Sequence, residues 1–107
     1  MSSHSVLAKL KLQGVVGAEV RGGVLISCSS APASLTIPAG IIEIASYCFS
    51  GQDKLMEIYL VNNVVRVGKA CFANCPNLVR IICNESLRSY SSELKSGNHA
   101  LVIYREG

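Results

Sequence analysis

The sequence predicts a short solenoid, mainly β with short helical turns, closed at its N-terminal end by a β cap. Three observations predict it. Offsetting the chain against itself by 23 residues lays apolar positions on apolar positions and the dipeptide Cys48-Phe49 on Cys71-Phe72. Each matched stretch holds an alternating run, a turn and a compact apolar segment, a unit too small to bury its own apolar side unless copies stack. Finally, 107 residues, 50% hydrophobic and 16% charged, suffice for one small core and leave no room for a second.

Taken in order, Met1 to Lys11 has apolar residues interrupted by Lys9 and Lys11, short of the ~7–15 apolar residues of a signal peptide. The expected setting is therefore cytoplasmic, and cell-surface only for a fragment of a longer protein. Ala8-Lys9-Leu10-Lys11-Leu12 alternates as a strand does. Glu19-Val20-Arg21, Gly22-Gly23 and Val24-Leu25-Ile26 read as a hairpin on a glycine turn. Ser27 to Ser34 is a small-residue connection. Residues 1–34 are thus expected to form a β-hairpin cap over the first rung, covering strand edges that would otherwise stand unpaired.

Residues 35–107 form the expected array, with rungs about 35–54, 55–77 and 78–100, and Leu101-Val102-Ile103-Tyr104 as a closing strand. Each rung starts with a short alternating run, Leu35-Thr36-Ile37-Pro38 or Ile58-Tyr59-Leu60-Val61. A turn follows at Ala39-Gly40 or Asn62-Asn63, then a second short extended piece with Ile41 and Ile44, or Val64 and Val67. A segment of helical apolar spacing comes next and stops at Gly51 or at Asn74-Cys75-Pro76. The expected inward columns are Leu35/Ile58/Ile81, Ile37/Leu60/Cys83, Ile41/Val64/Leu87, Ile44/Val67/Tyr90, Cys48/Cys71/Leu94 and Phe49/Phe72. Leu55, Leu78 and Leu101 fall in one further column, and the same offset carries Ile81 to Tyr104. Lys95 replaces the phenylalanine in the third unit, as a polar end rung requires.

The pattern Leu-Thr-Ile-Pro-x-x-Ile-x-x-Ile-x-x-x-Cys-Phe from Leu35, repeated from Ile58 as Ile-Tyr-Leu-x-x-x-Val-x-x-Val-Gly-x-x-Cys-Phe-x-x-Cys, resembles the BspA-type leucine-rich-repeat family. Cys48 and Cys71 take the family's alanine place, Ala45 and Gly68 its glycine place, and Gln52 and Cys75 its cysteine place. The resemblance covers about Leu35 to Leu94. It implies a leucine-rich-repeat array and a role in adhesion or interaction at cell surfaces.

Chemistry is sparse. Ten Lys and Arg against seven Asp and Glu give a net charge of +3, with no basic run and no interleaved aromatics, so nucleic acid is an unfavoured partner. That alternative would rest on the scattered Lys54, Arg66, Lys69, Arg80 and Arg88. The five cysteines sit among apolar or small residues. Packed free thiols are preferred over a Cys48–Cys71 disulfide, which the shared column leaves open. No metal site, cofactor or catalytic set is expected; a thiol-dependent enzyme would have only Cys75 or Cys83 with His99. Asn84-Glu85-Ser86 fits a glycosylation acceptor, relevant only to a secreted chain.

Stacked rungs set Glu57 beside Arg80, one repeat on, on the outer face, and the Met56/Val79 and Tyr59/Ile82 columns are read as outward by alternation. This stripe is the expected partner-binding face of a non-catalytic protein–protein interaction module, either a small regulator or inhibitor of another protein or a piece of a surface adhesin. The partner is another protein or a second copy of the chain, with no membrane span.

Overall fold

The computed structural model describes residues 3–61 and 64–106, with Ser3 and His4 defined by their backbone alone; the turn expected at Asn62-Asn63 lies outside the described residues. The first element is a helix, α1 (Ser3–Leu12), where a strand was expected over Ala8–Leu12. A strand would send Leu10 and Leu12 to one side. In the helix Val6 and Leu10 share the buried face, at 2% and 0% exposure, while Leu12 is 88% exposed. The helix closes with Gly14 at φ 101°, Val15 N–H on Leu10 O (3.1 Å) and Gly14 N–H on Lys11 O (3.0 Å), a glycine-ended terminus that satisfies the last carbonyls.

β1 (Glu19–Arg21) and β2 (Val24–Ser27) form an antiparallel hairpin whose turn residues, Gly22 and Gly23, stand at φ 55° and 80°. Both left-handed positions suit the twist of the flanking strands. Then follow β3 (Ser34–Thr36), β4 (Glu43–Ile44), β5 (Glu57–Leu60), β6 (Arg66–Val67), β7 (Arg80–Asn84), a 3-10 turn (Glu85–Tyr90), α2 (Ser91–Lys95) and β8 (Leu101–Arg105). They assemble two four-stranded sheets, β1-β2-β4-β6 and β3-β5-β7-β8, parallel everywhere except in the hairpin.

A 23-residue step sets the register, with Leu35 facing Ile58, Ile58 facing Ile81, and Ile44 facing Val67. The expected inward columns are buried throughout, apart from the half-buried Tyr90. Phe49 lies on Phe72 with ring centroids 5.5 Å apart and planes 13° from parallel.

The segments with helical apolar spacing, 46–51 and 69–74, are chains of turns rather than helices. Tyr47 and Ala70 stand at φ 61° and 53°, and Gly51, Asn74 and Gly97 at φ 79°, 57° and 75°. A helix would spend its N–H groups internally. Here Tyr47 N–H donates to Lys69 O (3.0 Å), Phe49 N–H to Cys71 O (2.8 Å) and Gly51 N–H to Ala73 O (2.9 Å), so the turns bond to the next unit. In the third unit the 3-10 turn and α2 take over, burying Leu87 and Leu94.

The step shortens at the end. Arg80 faces Leu101 and Ile81 faces Val102, a separation of 21 residues. Leu101 therefore leaves the Leu55/Leu78 column and stands 63% exposed, and Tyr104 faces Cys83 rather than continuing from Ile81. Up to Gly97 the left-handed positions keep the 23-residue spacing of Gly51 and Asn74, so the two missing residues come from the connection between Gly97 and Leu101.

The outer edge of β3 is sealed by a side chain. Gln13 Nε2 donates to Thr36 O (2.7 Å), and its Oε1 accepts from Thr36 N–H (2.9 Å), so one amide imitates a neighbouring strand. Gln13→Ala leaves both Thr36 groups without these partners. It is expected to lower stability by about 1–3 kcal/mol in urea unfolding; an unchanged midpoint would show that the seal is not structural. Gly68 marks the closest approach of two units, where an added Cβ would overlap the Ser46 backbone nitrogen and sit 2.7 Å from Ser46 Cα. Because backbone there cannot yield, Gly68→Ala is expected to cost roughly 1–3 kcal/mol by the same measurement.

Candidate functional site

Side chains of the β3-β5-β7-β8 sheet alternate between the core and the outward side. Leu35, Ile58, Leu60, Ile81 and Cys83 go inward and are fully buried. Two outward columns cross the strands: Ser34, Glu57, Arg80 and Leu101, then Thr36, Tyr59, Ile82 and Ile103. Met56 and Val79 stand just ahead of β5 and β7 and stay in step, since Val79 N–H donates to Met56 O (2.8 Å) and Leu101 N–H to Val79 O (2.9 Å).

Glu57, Tyr59 and Arg80 thus come together on one face with exposed or half-buried side chains, and Met56 and Val79 stand exposed at the heads of their strands. Ile82 belongs to the same column but is only 2% exposed, contrary to the expected exposed position. Its strand is interior to the sheet, with Tyr59 and Ile103 as cross-strand neighbours, and side chains on adjacent strands stand only ~5 Å apart. Ile82 is the floor of the stripe rather than its contact surface. Leu101 and Ile103 join the face although the 23-residue offset did not place them there; the signal that could have found them is the short Gly97–Leu101 connection.

The charges on this face are held in place. The Glu57 carboxylate accepts from Arg80 Nη2 (2.8 Å), Arg80 Nε (3.3 Å) and Ser34 Oγ (3.0 Å). The Arg80 bond, with Ser34 adding to it, holds the Glu57 carboxyl below its ordinary range. At the edge of the face lies an open groove of about 510 Å³ between Asp53-Lys54 and Pro76-Asn77, walled by Met56 and Val79. The other sheet repeats the pattern on a smaller scale, with Glu43 and Arg66 paired at 3.0 Å beside the exposed Ile42 and Val65.

The alternative sites fare less well. All five cysteines are free. Burial pushes Cys28 and Cys83 up to about 11 and Cys71 up to about 12, and raises Cys48 and Cys75 as well. Cys75 and His99 do line one groove of about 410 Å³. Yet Cys75 is 3% exposed and its thiol donates to Phe49 O at 3.0 Å, which disfavours the thiolate a nucleophile needs. Of the cations proposed for nucleic acid, Arg66, Arg80 and Arg88 are each engaged by a carboxylate, and Arg88 also covers the Tyr104 ring at 4.2 Å. Among the described residues no group of three or more His, Cys, Asp or Glu side chains could hold a metal ion, and no helix is long and apolar enough to cross a membrane.

Short parallel strands on a fixed step, joined by turns that bond from unit to unit, define a repeat protein. A family model described as "BspA type Leucine rich repeat region (6 copies)" matches residues 26–101, and the chain belongs to that leucine-rich-repeat family. Membership points to a protein-interaction module, in a family that is generally non-catalytic. No curated protein and no solved structure gives a significant match.

The buried thiols make stability pH-dependent. An unperturbed cysteine titrates near 9.0, whereas folded Cys28 and Cys83 hold their protons to about 11. Above pH 9 the unfolded chain releases protons that the folded chain keeps. The thiol contribution is complete below that value and is lost as pH rises toward 11. The urea midpoint is expected to fall across this window, less steeply in Cys28→Ala; an equal slope in the variant would refute the attribution. Iodoacetamide at neutral pH is expected to spare the thiols of the folded chain and to label them in urea.

Proposed function

We propose that this chain is a short solenoid acting as a non-catalytic protein-interaction module, docking another protein on the outward face of β3-β5-β7-β8. Residues 1–34 serve as the N-terminal cap, as a helix plus hairpin, and 35–107 as the array, with rungs about 35–54, 55–77 and 78–100. The observation that carries the reading is a set of apolar side chains on either side of the Glu57–Arg80 row, on a sheet whose other side is the core. Met56 and Val79 are 49% and 46% exposed, Leu101 is more so, and Tyr59 and Ile103 are half-buried beside them. Interfaces favour such apolar and aromatic anchors combined with polar groups, here the Glu57–Arg80 pair.

The expected partner offers an apolar ridge that fits over Met56 and Val79, with polar groups toward Glu57 and Arg80. A regulator or inhibitor of another protein and a surface adhesin would use the same face. Free, buried or half-buried thiols suit a reducing compartment, which favours the cytoplasmic setting and the regulator.

The test compares capture of partners from native extract by the full chain and by a Met56→Asp/Val79→Asp variant. Both side chains are half exposed, so circular dichroism and the urea midpoint should hold while affinity drops by roughly thirty-fold or more, the effect of losing one interface hot spot. A partner retained equally by both proteins would remove this face from consideration.

A further inference from the structure

We infer that the open edge of β8 pairs with β8 of a second copy of this chain, joining two β3-β5-β7-β8 sheets about a two-fold axis through Ile103. β8 ends its sheet, with β7 on one side and no strand on the other among the described residues. Leu101 N–H donates to Val79 O at 2.9 Å. Ladder alternation then turns the backbone groups of Ile103 and Arg105 toward β7 as well, and those of Val102 and Tyr104 toward the open edge. Residues 102 and 104 flank 103, the phase an antiparallel pair centred on Ile103 requires. Val102 N–H would donate to the C=O of the partner subunit's Tyr104, and Tyr104 N–H to the C=O of the partner subunit's Val102. Symmetry doubles these bonds.

Three observations select this occupant. The opposite edge of the sheet is closed, because Gln13 takes both the N–H and the C=O of Thr36. A head-to-tail chain of β8 on β3 therefore has no free strand to receive it, whereas a two-fold pair closes after two copies. Second, β8 is lightly guarded: Leu101-Val102-Ile103-Tyr104 has no charge, no proline and no bulge, and the strand's one charge is the terminal Arg105, while the three-residue β1 at the end of the other sheet carries both Glu19 and Arg21. Third, the axis sets Ile103 against the partner subunit's Ile103 on the outward side, so the apolar column Tyr59, Ile82, Ile103 runs unbroken across the junction. Pairing leaves Met56 and Val79 free but shares Leu101 and Ile103 with the docking face, so the variant that tests pairing alone is one at Val102, whose side chain packs against the core.

Sedimentation equilibrium on the full chain is expected to give twice the 11.4 kDa chain mass. Val102→Pro removes an edge donor, breaks no bond to β7 and leaves the outward face untouched; it is expected to be monomeric with an unchanged circular dichroism spectrum. Ile103→Lys sets like charges face to face at the axis and is expected to be monomeric too. An equimolar mixture of Ile103→Lys and Ile103→Glu is expected to dimerise again, which also shows that both variants fold. Hydrogen exchange reads the edge without a variant: the Val102 and Tyr104 amides are expected to be protected in the dimer and to exchange freely on dilution. A monomeric wild-type chain overturns the proposal, including the case in which β8 takes an extended segment of another protein. A dimer that survives both substitutions overturns it by placing the contact elsewhere. A dimer lost in Ile103→Lys but kept in Val102→Pro overturns it by placing the contact on the sheet face.

Discussion

Each unit of this protein must hand its backbone hydrogen bonds to the next. Strands of two to five residues have no stability alone, and the turns between them place Tyr47, Phe49 and Gly51 N–H groups on Lys69, Cys71 and Ala73 carbonyls of the following unit. The positive φ at Tyr47 and Ala70 is the cost of that arrangement, since it points those groups outward along the stack instead of closing them into a helix. Close approach follows from it: Gly68 must lack a side chain because Ser46 lies against it. Hydrophobic columns, the Phe49–Phe72 stack and the paired Glu57–Arg80 and Glu43–Arg66 all inherit the same 23-residue step.

A stack of this kind has a difficulty only at its ends, and the two ends are treated differently. At the start, glutamine amides substitute for missing strands. Gln13 satisfies Thr36, and Gln52 accepts from Ala31 N–H (2.9 Å), while its Nε2 reaches Cys28 O and Ser29 O at 3.4 Å each. At the other end the 3-10 turn and α2 cover the core beside β6, burying Leu87 and Leu94. Among the described residues no further strand pairs with the outer edge of β8, whose apolar run ends the second sheet.

The repeat was legible because its signal is periodic and redundant: Ile44/Val67, Cys48/Cys71 and Phe49/Phe72 each report the same offset, and all six are buried. Non-repeating elements offered one reading each. Ala8 to Leu12 alternates, yet Val6 and Leu10 supply the helical spacing, and a five-residue window omits Val6. Ile82 alternates outward, but alternation gives direction, not accessibility; an interior strand flanked by Tyr59 and Ile103 buries whatever stands there. Direction was therefore readable for Glu57, Tyr59, Arg80 and Ile82 but not for Leu101 and Ile103, and exposure was not readable for Ile82.

The short third step illustrates why register is harder to read than pattern. A slip of two residues keeps the same side chains facing the core, so Val102 and Tyr104 pack inward under either pairing. What changes is the fate of Leu101. Leu55 and Leu78 sit buried in the five-residue connections 52–56 and 75–79; the corresponding connection before β8, 98–100, has three residues. There is no place for a buried leucine in the shorter loop. Asn98 stands in that loop at the position of Gln52 and Cys75, its amide nitrogen donating to Leu94 O at 2.9 Å and Phe72 O at 3.3 Å, as the Cys75 thiol donates to Phe49 O one repeat earlier. Leu101 is thereby moved into the strand and onto the outward side, opposite Arg80 in the column that begins at Ser34 and Glu57. The same deletion that ends the repeat adds an apolar side chain to the face at the last strand, so the terminal rung does more than close the core.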